Sequence, residues 1–156
     1  MFVGENAKKP RYQGSGSSHI NPPKVTNCYD YSLFLLKETK NDPSLLSYCE
    51  GFTTTSDEID NSKFEQAIDL SRKNDFVVVF AGLPDSFENE GFDRKHIHLP
   101  ECQNKLISEI AKVNKNVVIV LHNGSVVDMP WVGDVKAIVE LYLCGEAVGE
   151  ATANIL

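Results

Sequence analysis

At 156 residues the chain is the size of one domain, with enough residues to bury a real core. Its 15 basic against 22 acidic residues give a formal charge of −7, which excludes a nucleic-acid binder that works through a basic face and gives no reason for an anionic membrane partner. No apolar run is long enough to span a bilayer, and no signal peptide opens the sequence.

Met1-Phe2-Val3-Gly4 reads as the end of a strand, too short to be a whole one. Glu5 to Pro23 holds glycines, serines and prolines with little apolar content and is read as a loop. Within it, Gly14-Ser15-Gly16-Ser17-Ser18 has the makings of a ligand cradle, since glycines allow close backbone approach and serine hydroxyls bond oxygens. A flexible linker is the plainer reading. A phosphate loop competes, yet no Gly-Lys-(Ser/Thr) follows and no helix starts at once. Thr26 or Asn27 caps a helix from about Cys28 to Lys40, with Tyr29, Leu33, Phe34 and Leu36 as its apolar residues. Asn41-Asp42-Pro43 ends it.

Tyr48 to Phe52 is a short strand-like piece, followed by a threonine-rich loop. Ser62-Lys63-Phe64-Glu65 reads as a capping box opening a helix with Phe64, Ala67, Ile68 and Ser71 on one face. A strand follows over Phe76–Phe80. Leu99-Pro100 then leads into a helix with Leu106, Ile107, Ile110 and Val113 at helical spacing, closed by Asn114-Lys115-Asn116. Val117–Leu121 and Ala137–Leu143 are further strands, and a last helix runs from Cys144-Gly145 to Leu156. Strands apolar throughout, alternating with amphipathic helices, predict a three-layer α/β/α sandwich with a mainly parallel sheet over residues 1–156.

The loop after the Phe76–Phe80 strand carries Glu88-Asn89-Glu90-Gly91-Phe92-Asp93-Arg94. Two carboxylates, a glycine and an Asp-Arg pair thus leave the carboxyl end of a strand, where open α/β sheets gather ligands and chemistry. A solvated acidic loop is the plain alternative. Asp93-Arg94 is expected to be an ion pair that shapes the loop. His96-x-His98 lacks a third ligand and reads as loop surface, not a metal site. The four cysteines, Cys28, Cys49, Cys102 and Cys144, are widely spaced and read as reduced thiols, which sets the expectation of a cytoplasmic protein.

Glu88-Asn89-Glu90-Gly91-Phe92-Asp93-Arg94, followed by Leu99-Pro100 and Gln103, resembles the second domain of glycoside hydrolase family three. So do Lys9 to Ser18, Asn123-Gly124-Ser125 with Met129-Pro130-Trp131, and Tyr142 to Ala151, all in the family's order. The resemblance implies a piece of a retaining β-glucosidase, cut at both ends, acting on a β-glucoside or oligosaccharide without a cofactor. It makes Glu90 the general acid/base and lines the sugar site with Arg11, Gly16 and Ser17, of which Ser17 touches the substrate. It also implies a partner, an N-terminal (β/α)₈ barrel of the same parent protein that holds the nucleophile. Such a barrel takes about 250 residues. None of Asp57, Asp128 or Asp134 lies in a nucleophile-like context.

Chemistry alone leaves Glu88 and Glu90 as rival acids, with the neighbouring Glu88 and Asp93 charges expected to raise the pKa of Glu90. Trp131 is open between a sugar platform and packing. The competing function is a self-standing module that binds a phosphate-bearing or other small ligand through Gly14–Ser18 without catalysis.

Overall fold

A computed structural model describes all 156 residues. The apolar runs form β1 (Phe2–Val3), β2 (Tyr48–Cys49), β3 (Val77–Gly82), β4 (Val117–His122) and β5 (Ala137–Glu140). They pair in the order β2-β1-β3-β4-β5, and every pair is parallel. All six residues of β3 are buried, as expected for a strand covered on both faces. Four helices provide that cover: α1 (Cys28–Glu38), α2 (Asn61–Ser71), α3 (Glu101–Val113) and α4 (Val148–Ile155).

Alternation along the strands divides the interior. Val77, Val79 and Ala81 of β3, with Val117, Ile119 and Leu121 of β4, pack toward α2 and α3 in a core of 19 buried residues. Val78, Phe80 and Val120 point the other way, joining Cys28 of α1 and Val148 of α4 in a second core of 8. The three-layer sandwich is therefore real but lopsided. Only Cys28 of α1 is buried, and Phe34, expected on its apolar face, is 49% exposed because α1 leans on α4 more than on the sheet.

Several boundaries differ from the expectation. Phe76 is 64% exposed and stays outside β3, which instead continues to Gly82. There the Gln103 side chain accepts from the Gly82 N–H and donates to its carbonyl, both at 2.9 Å, extending the ladder with a side-chain amide. β5 stops at Glu140, and Tyr142 turns the chain with a left-handed φ of 53°. The cap of α2 is Asp60, not Ser62: Asp60 Oδ1 accepts from Ser62 N (3.1 Å) and Lys63 N (3.2 Å).

Thr26 and Asn27 serve two different helices. Asn27 Oδ1 caps α1 through Asp30 N at 2.8 Å, whereas Thr26 Oγ1 accepts from Gly149 N (3.1 Å) and Glu150 N (3.3 Å) in the first turn of α4. Asp57 likewise caps α3 from a distant loop, accepting from Cys102 N at 3.2 Å. Trp131 is buried, with Nε1 donating to Asn104 Oδ1 at 2.9 Å, so its role is packing. All four cysteines are free, and Cys28, Cys49 and Cys102 are buried, with burial pushing each thiol up to about 11. No helix is long and apolar enough to cross a membrane.

Candidate active site

Three loops meet at the carboxyl end of the sheet: residues 5–23 after β1, 83–98 after β3 and 123–135 after β4. The first is more ordered than its composition implies. It holds 3-10 turns at Glu5–Ala7 and Gly16–Ser18, and Ala7 is fully buried in the smaller core.

Arg11 ties the first loop to the second. Its Nε donates to Asp85 Oδ1 (3.0 Å), one Nη pairs with the Glu88 carboxylate, and the other donates to the Glu88 carbonyl (3.1 Å). Every guanidinium nitrogen is therefore engaged within the chain. Below it lies His122, the last residue of β4, which is fully buried. Burial pushes its pKa down to about 4, so the ring is neutral and Nδ1–H donates to the Arg11 carbonyl at 3.2 Å. Its position just before Asn123-Gly124-Ser125, ending an apolar strand run, was the available sequence signal, and neither it nor Gln103 was assigned a role from the sequence.

Glu88 ties the second loop to the third. Its carboxylate accepts from Gly124 N at 2.8 Å as well as from Arg11. Burial alone pushes its pKa up, but hydrogen bonds from Ser125, Arg11 and Gly124, together with the Arg11 charge, outweigh it and hold the group below its ordinary value. Arg94 makes the same connection farther along. It does not pair with Asp93 as expected; its guanidinium reaches across to Ser125 Oγ (2.9 Å) and the Val126 carbonyl (2.6 Å). Both ends of the acidic loop are thereby pinned to the turn after β4.

Glu90 lies between those pins and is exposed. Ser17 N donates to Glu90 Oε2 (2.5 Å) and Ser17 Oγ to Oε1 (2.7 Å). Gly16 makes this approach possible: its φ is +84°, and a Cβ there would stand 2.2 Å from Glu90 Oε2. The backbone and hydroxyl hydrogen bonds from Ser17 lower the Glu90 pKa. That reverses the expectation of a raised value, because direct hydrogen bonds to the charged form decide the direction. The Gly/Ser loop thus cradles a carboxylate of its own chain.

His96 and His98 stack with ring centroids 5.1 Å apart, and His98 Nδ1 lies 2.5 Å from Asp128 Oδ2. No three His, Cys, Asp or Glu side chains come together in an arrangement that could hold a metal ion. Asp57 as a helix cap and Asp128 as the partner of His98 both have structural contacts of their own.

Residues 1–156 match the glycosyl hydrolase family 3 C-terminal domain. The chain belongs to that family. It is 47% identical over 155 residues to thermostable β-glucosidase B of Acetivibrio thermocellus, covering 99% of this chain and 20% of that protein. It is 39% identical over 155 residues to an exo-α-(1→6)-L-arabinopyranosidase of Bifidobacterium longum, with the same coverage of 99% and 20%. Among solved structures, the GH3 β-glucosidase of Bifidobacterium adolescentis superposes with a TM-score of 0.85 at 40% identity, covering 98% of this chain and 22% of that one. The chain of this family 3 domain therefore spans about a fifth of the length of the relatives it matches.

Proposed function

We propose that this domain forms one wall of a retaining β-glucosidase and that Glu90 is its general acid/base. The observation carrying the reading is the different state of two carboxylates two residues apart. Glu88 is held as a carboxylate by Arg11 and Gly124 and carries no proton to give, whereas Glu90 is exposed and held only by Ser17, contacts that a ligand can replace. A glycosidic oxygen at the mouth of the site can reach Glu90 and not Glu88.

In the first step Glu90 protonates the departing glycosidic oxygen while a second carboxylate attacks the anomeric carbon and forms a glycosyl ester. In the second, Glu90 takes a proton from the water that opens the ester, restoring both groups with retention of configuration. Retaining enzymes place the two carboxyl groups about 5 Å apart. The nucleophile is therefore assigned to a barrel domain of the parent protein, packed against this rim, of which this domain would be the second. Glu90 must be protonated for the first step, so the Ser17 contacts that favour its charged form have to yield as sugar and barrel enclose it. Ser17 and Gly16 then face the sugar, while Arg11 acts through Glu88 and Asp85.

The β-glucosidase relative supports terminal β-linked glucose as substrate, and the arabinopyranosidase relative indicates that so similar a domain also serves another pyranoside. Sugar choice is accordingly placed mostly on the barrel. Buried free thiols suit a reducing compartment, which supports a cytoplasmic parent. The test is leaving-group dependence in the parent enzyme. Glu90→Ala should spare activated phenyl glycosides relative to poor leaving groups, and azide should rescue the former and yield a β-glycosyl azide. The same behaviour from Glu88→Ala instead would reassign the acid.

A further inference from the structure

The geometry points to Asn123-Gly124 as a spontaneous modification site, a succinimide-forming pair that the closed rim protects and that deamidates when the loops part. It is the only Asn-Gly pair in the sequence. The chemistry needs no catalyst. The Gly124 nitrogen gives up its proton and attacks Asn123 Cγ, closing a cyclic imide as Nδ2 takes a proton and leaves as ammonia. Water then opens the imide at either carbonyl, leaving aspartate or isoaspartate. Asparagine is heat-labile for this reason, and glycine is the most permissive following residue because it has no Cβ to shield the attacking nitrogen.

Each atom that takes part is held back. The Gly124 N–H donates to Glu88 Oε2 at 2.8 Å, so removing its proton gives up a charge-assisted hydrogen bond. Asn123 Nδ2 donates to the Ser125 carbonyl (3.0 Å) and to Glu140 Oε2 (3.3 Å), which holds the amide against rotation toward its own backbone. Asn123 is 1% exposed, and its Oδ1 is buried without a hydrogen-bond partner. Negative charge develops on that oxygen as the nitrogen adds, and no donor is there to stabilise it.

Protection therefore depends on three segments staying together: Glu88 after β3, Asn123 to Ser125 after β4, and Glu140 at the end of β5. When they separate, the Gly124 N–H is released to water and Asn123 Oδ1 gains donors. The product does not revert. Aspartate at position 123 sets a carboxylate against Glu140, and isoaspartate inserts a methylene into the backbone that carries the Gly124 N–H to Glu88. The pair is an irreversible record of rim opening.

The inference does not rest on the role of Glu90, because it is read by mass and not by turnover. The 156-residue chain is kept warm at mildly alkaline pH, and the peptide between Lys115 and Lys136 is followed by mass spectrometry. The same peptide carries Asn116, whose β-branched neighbour Val117 makes it the slow internal reference. Conversion at Asn123 should be at least about tenfold slower in the folded chain than in guanidinium chloride, the worth of an ordinary hydrogen bond to a charged group. Glu88→Ala should restore about that factor in the folded chain, with Asn116 unconverted. Glu140→Ala releases only one hold on Nδ2 and should accelerate conversion by less. The proposal is overturned by equal rates in the folded and unfolded chain, by a folded Glu88→Ala that converts no faster than the unaltered chain, or, where that variant does not fold, by a Glu140→Ala that converts no faster.

Discussion

The rim of the sheet contains two corners built from the same kinds of residue that behave in opposite ways. In the inner corner, Arg11, Glu88, Gly124 and His122 form a closed set: the Arg11 and Glu88 side chains are 11% and 16% exposed, and the buried imidazole supports the Arg11 carbonyl. In the outer corner, Glu90 is exposed and its contacts come from a single serine on a short 3-10 turn. Both carboxylates have lowered pKa values, yet for different reasons: a cation and three loops for one, a hydroxyl and an amide for the other. What the pair teaches is that a lowered pKa does not by itself mark a structural group. Ion pairing in a closed corner fixes a carboxylate, whereas hydrogen bonds at an open one can be exchanged for a ligand.

The sharpest way to separate the corners is activity in the parent enzyme. Glu90→Ala is expected to lower kcat on poor leaving groups by about 10²–10⁴-fold, the usual worth of general acid catalysis, with activated substrates affected far less. If both substrate classes fall equally, the outer corner is not the acid.

Stability should show the reverse order. Glu88→Ala leaves one Arg11 Nη and the Gly124 N–H without an acceptor in a half-buried corner, at a cost of about 1–3 kcal/mol in the unfolding free energy of the isolated domain. Glu90→Ala should leave the denaturant midpoint unchanged. A Glu90 variant that destabilises as much as a Glu88 variant would erase the distinction between the corners.

The pH response isolates the inner corner further. His122 has a folded-state pKa of about 4, below its unfolded value of about 6.5, so the unfolded chain binds the proton first. Its contribution is fully present above pH 6.5 and is lost as pH falls toward 4. His122→Gln should flatten the stability profile in that window, as measured by urea midpoints across it. Glu88, also lowered, adds a loss at still more acid pH, below the unfolded carboxylate pKa, and Glu88→Gln should remove that part alone. The smallest expected effect is at the cradle: Ser17→Ala should move the Glu90 carboxyl pKa back upward, followed by ¹³C chemical shift, with no change in the denaturant midpoint. No movement of that pKa would mean that the Ser17 hydroxyl does not hold Glu90 in solution, since the variant keeps the backbone N–H.

Much of this domain was legible before any coordinates. The apolar runs Val77–Phe80 and Val117–Leu121 could only be buried strands, and Leu106, Ile107 and Ile110 at helical spacing could only be the inner face of α3. The Glu88–Arg94 loop at a strand's carboxyl end, and its likeness to family 3, followed from local order alone. Misreadings were local as well: Ser62 satisfies the capping-box pattern, yet Asp60 two residues earlier takes both amides. Asp93 and Arg94 are adjacent in sequence but not paired, because the Arg94 guanidinium is taken by Ser125 and the Val126 carbonyl on another loop.

From its sequence by itself, then, the chain determines its elements, their alternation and the family to which it belongs, since strand and helix periodicity are properties of residues a few positions apart. Only the tertiary structure decides which of two nearly equivalent glutamates is locked and which is free. Arg11 meets Glu88 across 77 positions, Ser17 meets Glu90 across 73 and Gly124 meets Glu88 across 36. Those contacts exist because β1, β3 and β4 lie side by side in the sheet, bringing the loops at their carboxyl ends to one rim. Thr26 caps α4 and Asp57 caps α3 for the same reason: a side-chain oxygen serves whichever helix end the packed core brings within reach.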